Sequence, residues 1–249
     1  MILDRLFKAT RLELLPVHVL GGVAKGARWT LYPWTAYWRG TQEPALHEVL
    51  AGLGDIRGWN CWDIGAHFGI YAVGLAARVG ESGEVAAFEP NPASFARLER
   101  HRQMNRLHWL KSFQAAVSDV AGTAALCTYG DLKSTTTHLP YEGETPVTAA
   151  RPVEVRTLVL DDLVGSGCLR PPDLMKVDVE GHAHHALAGA RQTLSRHRPI
   201  LIVGFHSEAE VQGVQSLLQP LGYTTRLIGP GPATTWIGND VLFTPATPA

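Results

Sequence analysis

From residue 59 onward, short apolar runs alternate with segments of helical periodicity. The apolar runs have the length of buried strands and fall at 59–64, 84–89, 110–117, 173–181 and 199–205. Apolar residues at spacings of three and four predict helices at 69–79 and in segments starting near Asn91, Ala183 and Ser207. Strands that alternate with helices predict an α/β fold, with a mostly parallel sheet covered by helices on both faces.

Two regions depart from this alternation. Between 119 and 158, strand-like runs at 124–129 and 153–158 flank a polar loop at 130–151, which is long enough to be either functional or floppy. Near the C-terminus, runs at 222–228 and 240–244 are joined by a Gly/Pro-rich segment. Such a joint predicts a closing antiparallel hairpin and not a further βαβ unit.

The N-terminal part follows neither pattern. Residues 1–20 are predicted to be partly helical with an interruption at Pro16, 27–32 to form a short strand, and 43–53 to form a helix. The segment 1–55 is rich in aromatic residues and is interpreted as a hydrophobic cover or as a lid over an active site. We therefore divide the chain into this segment and a main domain at 56–249, with the 130–151 loop inserted in it.

Composition narrows the function classes. The 249 residues are 45% hydrophobic and carry a net charge of −1, which argues against a nucleic-acid-binding surface. Three widely separated cysteines indicate neither a zinc site nor a disulfide framework and are typical of the reducing cytoplasm. No apolar run is long enough to predict a membrane span. We expect a cytoplasmic protein.

Candidate chemistry begins at the turn Asp63-x-Gly65-x-x-x-Gly69, which follows a strand and precedes a helix. The turn does not fit the G-x-G-x-x-G fingerprint of dinucleotide sites. A second acid, Glu89, ends the next strand, where a carboxylate can accept both hydroxyls of a ribose. Acids at the mouth of such a site favour a cationic cofactor, so Asp63 and Glu89 point to S-adenosylmethionine (SAM).

The sequence resembles the FkbM-type SAM-dependent methyltransferases. The resemblance lies in four blocks, namely residues 37–43 (YWRGTQE), 63–71 (DIGAHFGIY), 88–92 with Phe95 (FEPNP), and 176–182 (KVDVEGH) continuing to Arg198-Pro199. It covers about residues 37–206 and implies a Rossmann-like, seven-stranded sheet whose C-terminal strand is antiparallel. It also implies methyl transfer to a hydroxyl of a sugar, polyketide or other small metabolite.

The same resemblance implies which residues bind the cofactor. The turn would wrap the methionine part of SAM, Glu89 would bind the ribose, and other residues would border the cofactor at His67, Tyr71, Asn91 and Ala116. Tyr37, Trp38 and His182 are the predicted substrate contacts. The chain departs from the family pattern at His67, where Asn is frequent, at Ala183, where an acid is usual, and at Gly204, where Glu is usual.

Methyl transfer requires a collinear acceptor, and a hydroxyl acceptor also benefits from a base. The candidates at strand ends are Asp178, which we expect to position the substrate or the methyl end of SAM, and His206 or Glu180 as the base. With His184 and His185 beside it, His182 makes a divalent metal conceivable, but a solvated helix start is the preferred interpretation and no metal is predicted.

Three hypotheses follow. The first is a SAM-dependent methyltransferase that most readily methylates a hydroxyl of a small metabolite, natural product or glycan. The second is a nicotinamide-dependent oxidoreductase, which the failed glycine fingerprint disfavours. The third is a SAM-binding protein that has lost catalysis, an idea raised by Gly204. The acceptor, the choice between O- and N-methylation and the oligomeric state, including a homodimer, are left open by the sequence.

Overall fold

A computed structural model describes residues 15–32, 35–128, 137–138, 153–229 and 231–246. Its strands, numbered in chain order, are β1 (Pro16–His18), β2 (Arg28–Thr30), β3 (Asn60–Ile64), β4 (Glu84–Phe88), β5 (Leu110–Phe113), β6 (Ala116–Val117), β7 (Gly122–Thr128), β8 (Thr137–His138), β9 (Val153–Leu158), β10 (Leu174–Val177), β11 (Ile200–Gly204), β12 (Tyr223–Ile228) and β13 (Asp240–Pro245). Its α-helices are α1 (Pro44–Gly52), α2 (Ile70–Val79), α3 (Pro92–Met104), α4 (Leu160–Gly165), α5 (Ala183–Ala188), α6 (Arg191–His197) and α7 (Glu208–Leu218). None of the described helices combines the length and apolar character needed to cross a bilayer.

The central sheet has seven strands in the order β12-β13-β11-β10-β3-β4-β5. The five strands from β11 to β5 are parallel, and β13 runs antiparallel to both β11 and β12. This arrangement confirms the predicted mostly parallel sheet, the C-terminal antiparallel strand and the closing hairpin. The chain order reverses between β3 and β10, so a ligand-binding crevice is expected at the carboxyl ends of these two strands.

The alternation of side chains along the strands divides the core into two layers. In β3, Cys61 faces the layer that contains α1, α2 and α3, whereas Trp62 and Ile64 face the layer that contains α4 to α7. Strand β4 alternates in the same way. Helices therefore cover both faces of the sheet, as predicted.

The described part of the N-terminal segment packs onto the first layer. Trp29 is fully buried and stacks on His101 of α3 at 3.5 Å between ring centroids, and Leu46 and Leu50 of α1 belong to the same core. Pro16–His18 pairs with Arg28–Thr30 as a small antiparallel hairpin. Residues 1–20 were predicted to be partly helical with an interruption at Pro16; Pro16–His18 is a strand, and residues 1–14 lie outside the described part of the chain.

Other boundaries differ from the sequence prediction for local reasons. The run at 110–117 forms two strands, because β6 leaves the central sheet and pairs with β9 in a second sheet of order β6-β9-β7-β8. The helix predicted from Ala183 to Leu194 is two helices, because the Asp161 carboxylate accepts hydrogen bonds from the amides of Gln192 and Thr193 and caps a new helix there. Of the predicted 130–151 loop, only the short strand at 137–138 is described.

Candidate active site

A cavity of about 300 Å³ opens at the carboxyl ends of β3, β4 and β10, and we call it the central cavity. Its walls contain many of the predicted site residues, namely Tyr37, Gly65, His67, Tyr71, Glu89, Ala116, Asp178, Glu180, His182 and His206. The remaining predicted residues, Trp38, Asp63, Gly69 and Asn91, do not line it. The location is the one where open α/β sheets bind their ligands.

The turn after β3 shapes one wall of this cavity. Gly65 and Gly69 have φ values of 83° and 85°, and His67 between them has a φ of 50°. A Cβ on Gly65 would lie 1.9 Å from the carbonyl oxygen of Asp178, so the turn and the end of β10 touch through bare backbone. Glycine at 65 is required both by the left-handed conformation and by this close approach.

Replacing Gly65 with alanine is expected to destabilise the fold far more than the same change at Gly54. Gly54 also has a positive φ, of 73°, but a Cβ there would meet nothing within 4 Å. Gly54→Ala should therefore cost only the left-handed backbone penalty, about 1–2 kcal/mol. Gly65→Ala adds a backbone clash that requires β3 and β10 to separate. Urea unfolding of both variants measures the difference, and equal midpoints would contradict the close approach.

Glu89 is hydrogen-bonded to the turn that follows β3. Its carboxylate accepts hydrogen bonds from the amides of His67 at 2.7 Å and of Asn91 at 2.8 Å, and the side chain is 5% exposed. Burial raises the pKa of Glu89 to about 7, against the lowering effect of the two amides. Asn91 lies behind the wall, where its side-chain oxygen caps α3 by accepting from the amides of Ala93 and Ser94.

Asp63 lies behind the cavity, next to the Lys176 backbone in the sheet register. It is fully buried, and neither carboxylate oxygen forms a hydrogen bond to a described residue, although the nearby Ala72 amide favours the charged form. Burial raises its pKa to about 6, and the positive charge of Lys176 opposes that rise. The structure thus places Asp63 opposite a buried cation of the protein itself.

Lys176 is the centre of a buried charge network. It is 2% exposed, its Nζ donates to Asp178 Oδ2 at 3.1 Å, and it lies 4.9 Å from the centre of the Tyr71 ring. Burial alone would lower the Lys176 pKa, but the surrounding carboxylates outweigh it and raise that pKa. The pKa of Asp178 is held below its usual range, because the charges of Lys176 and His206 outweigh the effect of burial.

His206 lies among three carboxylates. Its Nε2 is 3.6 Å from Asp178 Oδ1 and 3.5 Å from Glu180 Oε2, and its Nδ1 is 3.7 Å from Glu210 Oε2. Burial lowers the His206 pKa, but Glu210, Asp178 and Glu180 outweigh it and raise the pKa to about 9. His206 is therefore a cation at neutral pH.

Three residues of the cavity wall have a strained backbone. Glu43, His67 and Glu180 have φ values of 44°, 50° and 47°, in the left-handed region that side chains other than glycine rarely adopt. Such strain concentrates at ligand and active sites, where the surrounding structure holds it in place. This concentration at the cavity is a second reason to assign function to it.

The N-terminal segment supplies part of the wall. The Tyr37 hydroxyl lies 3.0 Å from His67 Nδ1, and the Tyr71 hydroxyl donates to Glu43 Oε2. Sequence reasoning had not assigned roles to Gln42, Glu43 or Lys176. The sequence could have placed Lys176 at the site, because residues two apart on a strand share a face and Asp178 is a candidate.

His182 borders the cavity but is engaged elsewhere. Its Nε2 is 3.0 Å from Ser118 Oγ, and its ring stacks on that of His185, which lies 3.1 Å from an Asp119 oxygen. Across the residues that the structure describes, no group of three or more His, Cys, Asp or Glu side chains is placed to hold a metal ion.

Comparison with known proteins identifies the family. Over residues 63–224 the sequence matches the methyltransferase FkbM domain. This match covers more than half of the chain, so the chain belongs to the FkbM methyltransferase domain family. S-adenosylmethionine is its cofactor. Family membership also disfavours the nicotinamide-dependent alternative.

Individual relatives agree with this assignment. The hexuronic acid methyltransferase AglP of Haloferax volcanii is 29% identical over 174 residues, covering 67% of this chain and 64% of that protein. Two solved structures share the fold. Methyltransferase FkbM from Methylobacillus flagellatus KT has a TM-score of 0.54 at 19% identity, covering 78% of this chain and 45% of that one. The putative methyltransferase yhhF from Escherichia coli has a TM-score of 0.50 at 13% identity, covering 94% and 100%. The matches thus span less than two thirds of AglP and of the Methylobacillus protein.

The residues of the central cavity fit this cofactor. Glu89 would offer a buried carboxylate for ribose hydroxyls, and Asp178 and Glu180 would supply negative charge for the ammonium and sulfonium groups. Phe88, Val117 and Leu126 provide an apolar surface suited to adenine. The buried Nε2 of His67 has no hydrogen-bond partner among the described residues.

Replacing Glu89 with glutamine is expected to weaken SAM binding by about 10- to 100-fold, as the charged acceptor of the ribose hydroxyls is lost. Calorimetric titration with SAM measures this, and Glu81→Gln at an exposed position is the matched control. An unchanged dissociation constant in Glu89→Gln would exclude Glu89 from the cofactor site.

Proposed function

We propose that this protein transfers the methyl group of SAM to a hydroxyl oxygen of a small molecule or glycan. The observation that carries the proposal is the shared cavity. Glu89 and the Gly65 turn, the proposed cofactor wall, line the same cavity of about 300 Å³ as Asp178, Glu180 and His206. A methyl donor and a set of acid–base groups would therefore meet in one cavity.

The cofactor, when bound, supplies an electrophilic methyl carbon on a positively charged sulfur. A hydroxyl acceptor would take this methyl group and lose its proton to a base of the protein, while the Gly65 turn and Glu89 would hold the cofactor. His206 in its neutral form and Glu180 are the candidate bases, 3.5 Å apart. Asp178 positions the reacting groups, since it lies between Lys176 and His206.

The acceptor class follows from the relative of named activity. AglP is described as a hexuronic acid methyltransferase, and its similarity to this chain supports a sugar or glycan acceptor. Small metabolites and natural products are the alternative acceptors.

The catalytically silent alternative rested on Gly204, where a carboxylate is missing. Asp240 is the register partner of Gly204 on the neighbouring strand. A Cβ on Gly204 would lie 3.2 Å from Asp240 Oδ1 and 3.0 Å from Asp178 Oδ1. Asp240 thus brings a carboxylate to the place left empty, which favours an active enzyme.

The proposal is tested in two measurements. Titration calorimetry should give binding of SAM and of S-adenosylhomocysteine, and none of NAD at equal concentration. Transfer of labelled methyl from SAM to a panel of sugars and small phenols should then be detected, and should fall in Asp178→Ala. Absence of SAM binding at millimolar concentration would contradict the function, and equal turnover by Asp178→Ala would contradict the site.

A further inference from the structure

A second cavity of about 500 Å³ adjoins the central one, and we call it the side cavity. The two share Glu43, Asp178 and His206, so these residues stand at the junction. Beyond the junction, the side cavity extends over Gly204 and Asp240 towards the start of α1. A molecule in the side cavity would meet the central cavity at these three residues.

The space exists because residue 204 has no side chain. Even a single Cβ on Gly204 would come within 3.0 Å of Asp178 Oδ1 and 3.2 Å of Asp240 Oδ1, so anything larger would displace both carboxylates. A glutamate at this position, as the family resemblance implies, would fill the entrance. Gly204 therefore both opens the side cavity and leaves Asp240 facing it.

Carboxylates outnumber cations in the walls of the side cavity. Its walls contain three carboxylates, those of Glu43, Asp178 and Asp240, and one cation, His206. Lys176 does not line it. Burial raises the pKa of Asp240 to about 7, so this carboxyl can both donate to and accept from a hydroxyl near neutral pH. A carboxylate-bearing ligand would meet like charge here, whereas hydroxyl groups would find hydrogen-bond partners.

We propose that the side cavity is the acceptor subsite and that it takes an uncharged, polyhydroxylated sugar ring and excludes a uronate. The proposal rests on the methyl-transfer function given above and sets this chain apart from a hexuronic acid methyltransferase. The ring occupies the side cavity and presents one hydroxyl at the junction. There the hydroxyl meets Asp178 and His206, which line both cavities.

The test compares two sugars of the same shape and different charge. Methyl β-D-glucopyranoside and methyl β-D-glucuronide are titrated into the complex of the full chain with S-adenosylhomocysteine, and binding is followed by saturation-transfer NMR. The glucoside is expected to bind about tenfold more tightly or better, the effect of one unfavourable charge contact. Asp240→Asn should reduce this preference, whereas Asp162→Asn at an exposed position should not.

A variant that blocks the side cavity gives an independent measurement. Ala45 lines the side cavity, and Ala51 on the same helix is exposed. Ala45→Trp should abolish glucoside binding and leave the affinity for S-adenosylhomocysteine unchanged, while Ala51→Trp changes neither. Retained cofactor affinity also shows that the variant is folded.

The outcomes separate this proposal from the function. If neither SAM nor S-adenosylhomocysteine binds, the proposed function itself fails. If they bind, and the glucuronide binds as well as the glucoside, or the glucoside does not bind at millimolar concentration, the acceptor assignment alone is overturned. Unchanged glucoside binding in Ala45→Trp likewise overturns it.

Discussion

Replacing His206 with glutamine is expected to lower kcat by about two to four orders of magnitude, the range of a lost general base. Glutamine keeps much of the volume of the side chain and removes its titration. The affinity for SAM should not fall, because the proposed cofactor wall is formed by Glu89 and the Gly65 turn, and a neutral glutamine no longer repels the sulfonium. Single-turnover methyl transfer together with SAM calorimetry measures both quantities.

The pH dependence of the rate provides a second test of His206 as the base. A base must be neutral to accept a proton, and the pKa of His206 is raised to about 9 by the neighbouring carboxylates. The value of kcat/KM for the acceptor should therefore rise with pH and level off above about pH 9. The positive sulfonium of bound SAM lowers the pKa of a neighbouring imidazole. Profiles measured at saturating SAM should therefore shift to lower pH than profiles measured at low SAM.

The controls decide between the two candidate bases. His108→Gln, at an exposed position, should leave the rate and the pH profile unchanged. A flat profile between about pH 6 and pH 10, with His206→Gln near the wild-type rate, would contradict His206 as the base. Glu180 would then be the base, and Glu180→Gln would be expected to show the loss of kcat.

Much of the fold could be predicted from the sequence because the signals were local and mutually consistent. Alternating buried strands and capped helices predicted the sheet, and the Gly/Pro joint predicted the antiparallel hairpin of β12 and β13. Boundaries failed where tertiary contacts overrode periodicity. Asp161, distant in sequence, caps α6 and divides one predicted helix into two, and pairing with β9 draws Ala116–Val117 out of the central sheet.

The candidate site was only partly accessible to sequence reasoning. Residues at strand ends, such as Glu89 and Asp178, could be placed because parallel strands present their carboxyl ends at one edge. Asp240 and Glu43 could not, since they reach the cavities from an antiparallel strand and from the N-terminal segment. The contact between Asp63 and the cofactor that the sequence suggests stays a prediction. The structure places Asp63 behind the wall, where sequence position cannot distinguish a buried counter-ion from a ligand.

Lys176 is the buried cation next to Asp63, and we expect its replacement to have the largest effect on stability. Lys176→Met should lower the free energy of unfolding by about 3 kcal/mol or more, the cost of removing one partner from a buried charge group. Methionine fills the volume, so the loss is electrostatic. Asp63 is left without its cation, and Asp178 keeps only His206. Lys111→Met removes a partly exposed ion pair with Glu84 and should cost less than about 1 kcal/mol.

The stability lost in Lys176→Met should increase with pH. Without Lys176, the folded-state pKa of Asp63 rises further above its unfolded value, beyond the present value of about 6. A carboxyl with a raised folded pKa is least costly while it is protonated, and its penalty grows as the pH rises through that pKa. Urea unfolding of Lys176→Met should therefore show a smaller deficit near pH 5 than near pH 8.

The double variant Lys176→Met/Asp63→Asn tests the cause directly. Removing both charges leaves no uncompensated carboxylate at position 63, so the double variant should be more stable at about pH 8 than Lys176→Met alone. Simple packing loss predicts the opposite, namely that the second substitution adds its own cost to the first. A double variant less stable than the single one would show that Lys176 acts by packing, and that Asp63 is held by something other than this buried cation.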